Sequence, residues 1–190
     1  MVFLDFLFFF THMRQLLLLS ILVISIGAFG QGLPDVTIQT LKKQSIKASE
    51  LTHDGPMVVS FWATWCKPCI SELDAMADYH EDLVADANLR MVAISIDNAR
   101  TSSRVAPFVA SRGWNYDVYV DANSDLRRAM GVNNVPHTFL LNAQGEIVWE
   151  SNRYVPGEEE VLIEQIEALA HNEKLKLNRG EIMRSQSTQQ

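Results

Sequence analysis

Hydrophobic and polar positions follow two rhythms along this chain, and the switches between them mark its elements. Val36-Thr37-Ile38-Gln39-Thr40-Leu41 alternates with a period of two and is rich in β-branched residues, which predicts a half-buried strand. Lys42-Lys43 reads as a turn, and Gln44 to Lys47 as a returning hairpin partner. After the breaker Asp54-Gly55-Pro56, Met57-Val58-Val59-Ser60-Phe61-Trp62 is nearly continuous apolar sequence, the pattern of a strand covered on both faces. From Lys67 to about Ala85 the rhythm changes. Cys69, Leu73, Met76, His80 and Leu83 recur at steps of three and four, the spacing of one helix face.

The alternation continues downstream. Leu89 to Ile96 predicts a strand, and Ser103 to Arg112 a helix with Pro107 in its first turn and Gly113 just past its end. Asp117 to Val120 predicts a short strand and Asp125 to Met130 a short helix. Thr138 to Leu141 and Glu146 to Trp149 flank Asn142-Ala143-Gln144-Gly145, which predicts an antiparallel hairpin. Glu158 to about Glu173 predicts an amphipathic helix with Leu162, Ile166 and Leu169 on one face and three glutamates at its positive end. Strands alternating with helices, closed by a hairpin and a helix, predict an α/β fold with a central mixed β-sheet flanked by helices.

The first thirty residues follow a different logic. Leu16 to Phe29 is an apolar run preceded by Arg14 and ending in Ala28-Phe29-Gly30, the layout of a secretory signal peptide. Met13 then reads as the start of that leader. An uncleaved anchor that also uses Val2 to Phe10 is the alternative, and either one places the body outside the cytoplasm. The expected organisation is a leader over 1–30, one domain over 31–178 and a polar tail over 179–190.

Composition narrows the function. With 190 residues, 47% of them hydrophobic, the chain can build a real core, and a mean hydropathy near zero argues against a polytopic membrane protein. A net charge of −7 argues against nucleic acid as a partner. Two cysteines are too few for a disulfide scaffold, so they act as one pair.

That pair, in Trp65-Cys66-Lys67-Pro68-Cys69, sits where the buried strand hands over to the helix. Cys66 falls at the first-turn edge, where orphan N–H groups and the helix dipole favour a thiolate. Cysteines so placed have pKa values of roughly 3.5–7.5, against about 8.5 when free. Cys69 lies one turn deeper, on the apolar stripe, and suits a resolving thiol that acts after a mixed disulfide has formed. Pro68 fits the first helical turn. A zinc half-site lacks its second ligand pair, and an inert CxxC disulfide closes too short a loop to restrain the unfolded chain much.

Phe61-Trp62-Ala63-Thr64-Trp65-Cys66-Lys67-Pro68-Cys69 resembles the active-site segment of thioredoxin-like proteins. With the leader and the N-terminal hairpin, the wording resembles the extracytoplasmic TlpA/ResA branch. The resemblance covers about Val36 to Glu173 and implies a thioredoxin fold with an N-terminal β-hairpin extension. It also implies that Val135-Pro136 is a cis peptide facing the cysteines, with the backbone of Val135 pairing with substrate beside Trp65. A trans proline opening an edge strand is the plain alternative. Glu72 stands where that branch uses a carboxylate to assist proton movement at the buried sulfur, whereas a glutamate early in a helix is ordinarily a solvated residue that suits the dipole. Ser60 departs from cytoplasmic thioredoxins, many of which have a buried aspartate there, and this shifts the expected proton chemistry to Glu72 or water. His137 would tune Cys66 if near it, and otherwise is a half-exposed strand residue. Trp62 and Trp65 are expected as wall and packing residues.

The resemblance therefore implies an extracytoplasmic thiol–disulfide oxidoreductase acting on disulfide-containing client proteins, apocytochrome c among them. Its electrons would come from a membrane-embedded thiol-electron transporter, and it needs no cofactor or metal. The rivals are a disulfide-forming oxidase of the same fold and a copper-binding or metallochaperone module that uses the thiols as soft ligands. A peroxidase is disfavoured because it would carry a separate peroxidatic cysteine.

Overall fold

The computed structural model describes residues 32–171; the leader read over 1–30 and the tail over 179–190 lie outside them. The N-terminal hairpin forms as expected from Thr37–Thr40 (β1) and Ser45–Lys47 (β2), with Ile38 opposite Ile46. A 3-10 turn at Ala48–Glu50 follows; three residues carry no readable period, so the pattern did not mark it. Met57–Trp62 (β3) is buried along its whole length, which is why it reads as one apolar run. Then come Lys67–Ala87 (α1), Arg90–Ser95 (β4), Val105–Arg112 (α2), Asp117–Val120 (β5) and Asp125–Ala129 (α3). His137–Leu141 (β6), Ile147–Ser151 (β7) and Glu159–Ala170 (α4) complete the described chain.

The seven strands form one sheet in the order β2-β1-β5-β4-β3-β6-β7. β3, β4 and β5 run parallel, whereas β6 is antiparallel to β3 and β7 to β6. One end of the sheet therefore gathers the C-terminal ends of the three parallel strands and the N-terminal end of β6. The last hairpin strand begins at Ile147, not at Glu146 as the pattern suggested. Asn142 Oδ1 accepts the N–H groups of Gln144 and Glu146, and Asn142 N–H donates to the Glu146 carbonyl, which keeps Glu146 in the turn.

On one sheet face Trp62 packs against Trp114 and Phe108, with ring centroids 5.0 and 5.7 Å apart. Phe61, pointing the opposite way along the strand, meets Phe139 edge-on at 6.2 Å. α1 is tied to the α2–β5 segment through Asp74, which accepts from Arg112 at 2.8 Å and from Trp114 Nε1 at 2.9 Å. Tyr116 adds an O–H bond to the Leu73 carbonyl at 3.1 Å. α4 packs beside α1 with Leu162 and Ile166 buried.

At the far end of the sheet the backbone of Gly55 runs close to the left-handed cap of α1 at Asn88. A Cβ at position 55 would stand 2.6 Å from the Asn88 carbonyl oxygen, a backbone atom with little freedom to move. Gly55→Ala is expected to lower stability by about 1–3 kcal/mol in urea unfolding. Cysteine alkylation should stay as in the parent, since the thiols lie at the other end of β3.

Candidate active site

The cysteine turn is built by β3 and α1 together. Trp62 ends β3, and Cys66 N–H donates to the Ala63 carbonyl at 3.0 Å, closing a tight turn into the helix. Cys66 is the N-cap of α1. Its Sγ accepts the N–H of Cys69 at 3.4 Å, taking the place that a serine or aspartate oxygen fills at other helix starts. Pro68, which has no N–H to leave unsatisfied, lies in the first turn. The two sulfurs are joined in a disulfide. Cys69 is wholly buried and Cys66 is 5% exposed, so Cys66 is the outer sulfur of the pair but shows only an edge to solvent. A reduced Cys66 would sit with an orphan N–H and the positive helix end aimed at its sulfur, which favours the anion.

The two tryptophans part company. Trp62 is fully buried and packs as expected, whereas Trp65 is 63% exposed and is no packing residue. It stands on the surface directly beside Cys66. The Val135–Pro136 peptide is cis. Phe61 is in register with His137, so Pro136 lies at the level of Trp62, at the same sheet end as the cysteines. Pro136 is buried and Val135 half-buried. His137 is half-buried in β6, stacked on Phe139 with centroids 4.4 Å apart and with Nε2 3.7 Å from the Glu150 carboxylate. Burial draws its pKa down and Glu150 opposes that shift.

Glu72 is not the solvated helix-start residue that its type suggests. It is buried on the same face of α1 as Cys69, one turn further on. Its carboxylate accepts the Thr138 hydroxyl at 2.9 Å and the Ser60 hydroxyl at 3.4 Å, and those two oxygens are 3.0 Å apart. Ser60 and Thr138 stand opposite each other on β3 and β6, so the helix lowers its carboxylate onto a matched hydroxyl pair in the sheet. Burial pushes the Glu72 pKa up to about 7, against the pull of the two hydroxyls and with a further push from Glu158. Position 60 itself carries a hydroxyl, and the buried carboxylate bonded to it comes from α1.

Asp97 escaped the pattern reading. It is fully buried just beyond β4 and accepts from Thr64 N–H at 2.8 Å, Thr64 Oγ1 at 2.7 Å and Ser95 Oγ at 2.9 Å. The available signal was a carboxylate ending an apolar strand at the C-terminal edge of a parallel sheet, where α/β folds place their sites. Asp121, the same device one strand over, accepts the N–H groups of Asp125 and Arg127 and so starts α3.

Known proteins resemble this chain in sequence and fold. The AhpC/TSA family profile matches residues 29–150. The thiol-disulfide oxidoreductase ResA of Bacillus subtilis (strain 168) is 29% identical over 119 residues, 63% of this chain. That match spans 64% of the length of ResA, less than two thirds of it. A solution structure of a thioredoxin-like protein from Porphyromonas gingivalis is 33% identical, with a TM-score of 0.67 over 74% of this chain and 92% of the other. A crystal structure from Chlorobium tepidum, assigned provisionally as a thiol:disulfide interchange protein DsbE, is 25% identical, with a TM-score of 0.64 over 74% of this chain and 97% of that one. Because the family match takes in the cysteine turn, its helix, the cis-proline and every strand from β1 to β6, the chain belongs to the AhpC/TSA family and has a thioredoxin-like fold.

Proposed function

We propose that the chain is an extracytoplasmic thiol–disulfide oxidoreductase that reduces disulfides in client proteins through Cys66 and Cys69. The observation that carries this is the Cys66 sulfur acting as the cap of α1 while Cys69 lies wholly buried behind it. One position favours an attacking thiolate, and the other favours a thiol that waits. The names of the ResA and DsbE relatives support the same chemistry, and the leader pattern over 1–30 supports the location.

The reaction balances as two thiol–disulfide exchanges. The Cys66 thiolate attacks one sulfur of a client disulfide; that S–S bond breaks, and the released client thiolate takes a proton from water. Cys69 then gives up its proton, attacks Cys66 Sγ and expels the second client thiolate. The second client thiolate also takes a proton from water and Glu72 later returns the Cys69 proton to solvent, so the client gains two electrons and two protons and the enzyme is left with the Cys66–Cys69 disulfide. The Glu72 carboxylate takes the proton from Cys69, its pKa near 7 letting it accept and release that proton at neutral pH. Exposed Trp65 with Val135 and Pro136 forms the client contact, the Val135 backbone pairing with an extended client segment.

A reductant in an oxidising compartment needs recharging, which points to a membrane-embedded thiol-electron transporter as donor. Apocytochrome c is the client class that the TlpA/ResA resemblance suggests. Equilibration with glutathione buffers tests the direction. A potential below about −200 mV, in the thioredoxin and glutaredoxin range, is expected, and a value near −120 mV would make the protein an oxidase. Retention of stoichiometric Cu(I) without disulfide reduction would replace the enzyme by a copper module, and rapid peroxide turnover surviving Cys69→Ser would replace it by a peroxidase.

A further inference from the structure

The turn that presents Cys66 is held at three levels, two of them from the sheet side and one within the turn. Ile96 N–H donates to the Trp62 carbonyl at 2.8 Å, which ends the β3–β4 ladder. Two residues later Thr64 gives both its backbone N–H and its hydroxyl to the two oxygens of Asp97. Two residues further on, Cys66 N–H closes back onto Ala63. Between the last sheet bond and the helix, the side chain of Asp97 is the sheet's hold on this turn among the hydrogen bonds of the described residues. Asp97 is itself held, since Ser95 of β4 donates its hydroxyl to one carboxylate oxygen and accepts the Asp97 N–H at 3.1 Å. A buried carboxylate is costly to desolvate unless its acceptor sites are filled, and here three donors converge on it.

We infer that Asp97 is a positioning residue which, through Thr64, fixes the cysteine turn so that Cys66 stays at the cap of α1, where its thiolate is stabilised. The capping contact to Cys69 N–H is a long one to sulfur, and it depends on where the turn delivers Cys66 relative to the first helical turn. Thr64, two residues upstream, is gripped at two atoms, so neither its peptide nor its side chain can rotate without breaking a bond to Asp97. The inference rests on the reading of Cys66 as the attacking thiolate. It adds that the reactivity of this sulfur is set partly from β4, outside the CxxC segment.

Positioning and plain electrostatics predict opposite signs. A negative carboxylate acting through space would disfavour a neighbouring thiolate, so Asp97→Asn would then raise the reactivity of Cys66. A carboxylate acting through Thr64 should lower it when removed. The experiment is alkylation of the reduced full chain by iodoacetamide across pH 4–9, with the modified cysteine identified by mass spectrometry. Asp97→Asn is expected to move the Cys66 midpoint upward by roughly half to one pH unit, which cuts the thiolate fraction about three- to tenfold at pH values below the parent midpoint. Thr64→Val, which keeps the Asp97 charge and removes only the hydroxyl, should move it the same way, and Thr64→Ser should restore the parent profile.

A lowered midpoint in Asp97→Asn with no change in Thr64→Val overturns the inference in favour of a direct charge effect. Unchanged midpoints in both variants overturn it in favour of a merely structural aspartate. If Asp97→Asn does not fold, the Thr64 pair decides alone. A depressed Cys66 midpoint in a protein that fails to reduce insulin would sink the proposed function and leave the role of Asp97 standing. A parent midpoint near the free-thiol value would sink both.

Discussion

Cys66→Ser is expected to lose disulfide reduction altogether, and Cys69→Ser to keep the first half of the reaction and stop there. The asymmetry follows from the two environments. The hydroxyl of a serine at the helix cap stays protonated where a thiol ionises, so no competent nucleophile remains at position 66. Turnover of insulin should fall by on the order of 10³-fold or more. Cys69 cannot substitute, because its side chain is fully buried behind the first helical turn. Removing it instead leaves the Cys66 thiolate free to attack, and the resulting mixed disulfide has no internal thiol to resolve it. Covalent complexes should then accumulate on non-reducing gels and dissolve with dithiothreitol, and mass spectrometry of the trapped species would identify the clients. Trapping by the Cys66 variant instead would mean that the buried sulfur is the attacker and that the capping geometry has been assigned the wrong role.

The parts of this arrangement that could be read in advance are those carried by periodicity and by local spacing. β3 announces itself as six apolar-dominated residues, α1 as a stripe through Cys69, Leu73 and Met76, and the cysteine turn as the junction between them. What stayed hidden depends on contacts between residues far apart in the chain. Glu72 occupies a position on the apolar stripe, between Cys69 and Met76, but its residue type argues for solvent. Its burial makes sense only once Ser60 and Thr138 are seen opposite each other on β3 and β6, twelve and sixty-six residues away. Asp97 is a similar case, since its partner Thr64 lies thirty-three residues upstream and nothing local to either marks the pair. Trp65 departs from the packing expectation for the reverse reason. A tryptophan is expected to find cover, and here the tight turn that caps the helix leaves this one outside.

Glu72→Gln should flatten two pH dependences at once, because one buried carboxylate controls both. The folded protein raises the Glu72 pKa from 4.5 to about 7, mainly through burial, so between these values the native state binds a proton that the unfolded state has already released. Stability must then fall as pH rises through that interval, by about 3 kcal/mol in all, and remain at the lower level above it. A glutamine amide can still accept from Thr138 and donate to Ser60 without ionising. The oxidised variant should therefore match the parent below pH 4.5 in urea unfolding and exceed it by up to about 3 kcal/mol at pH 8. Catalysis should move the other way. Resolution of a preformed mixed disulfide should accelerate in the parent as Glu72 ionises near pH 7, and in Glu72→Gln that inflection should vanish with a loss of about tenfold or more at neutral pH. A variant that gains stability and keeps the parent resolution profile would show a carboxylate that is costly to bury and idle in the reaction. Loss of both dependences together would show that the fold tolerates an unfavourable ionisation to keep a proton acceptor beside its buried thiol.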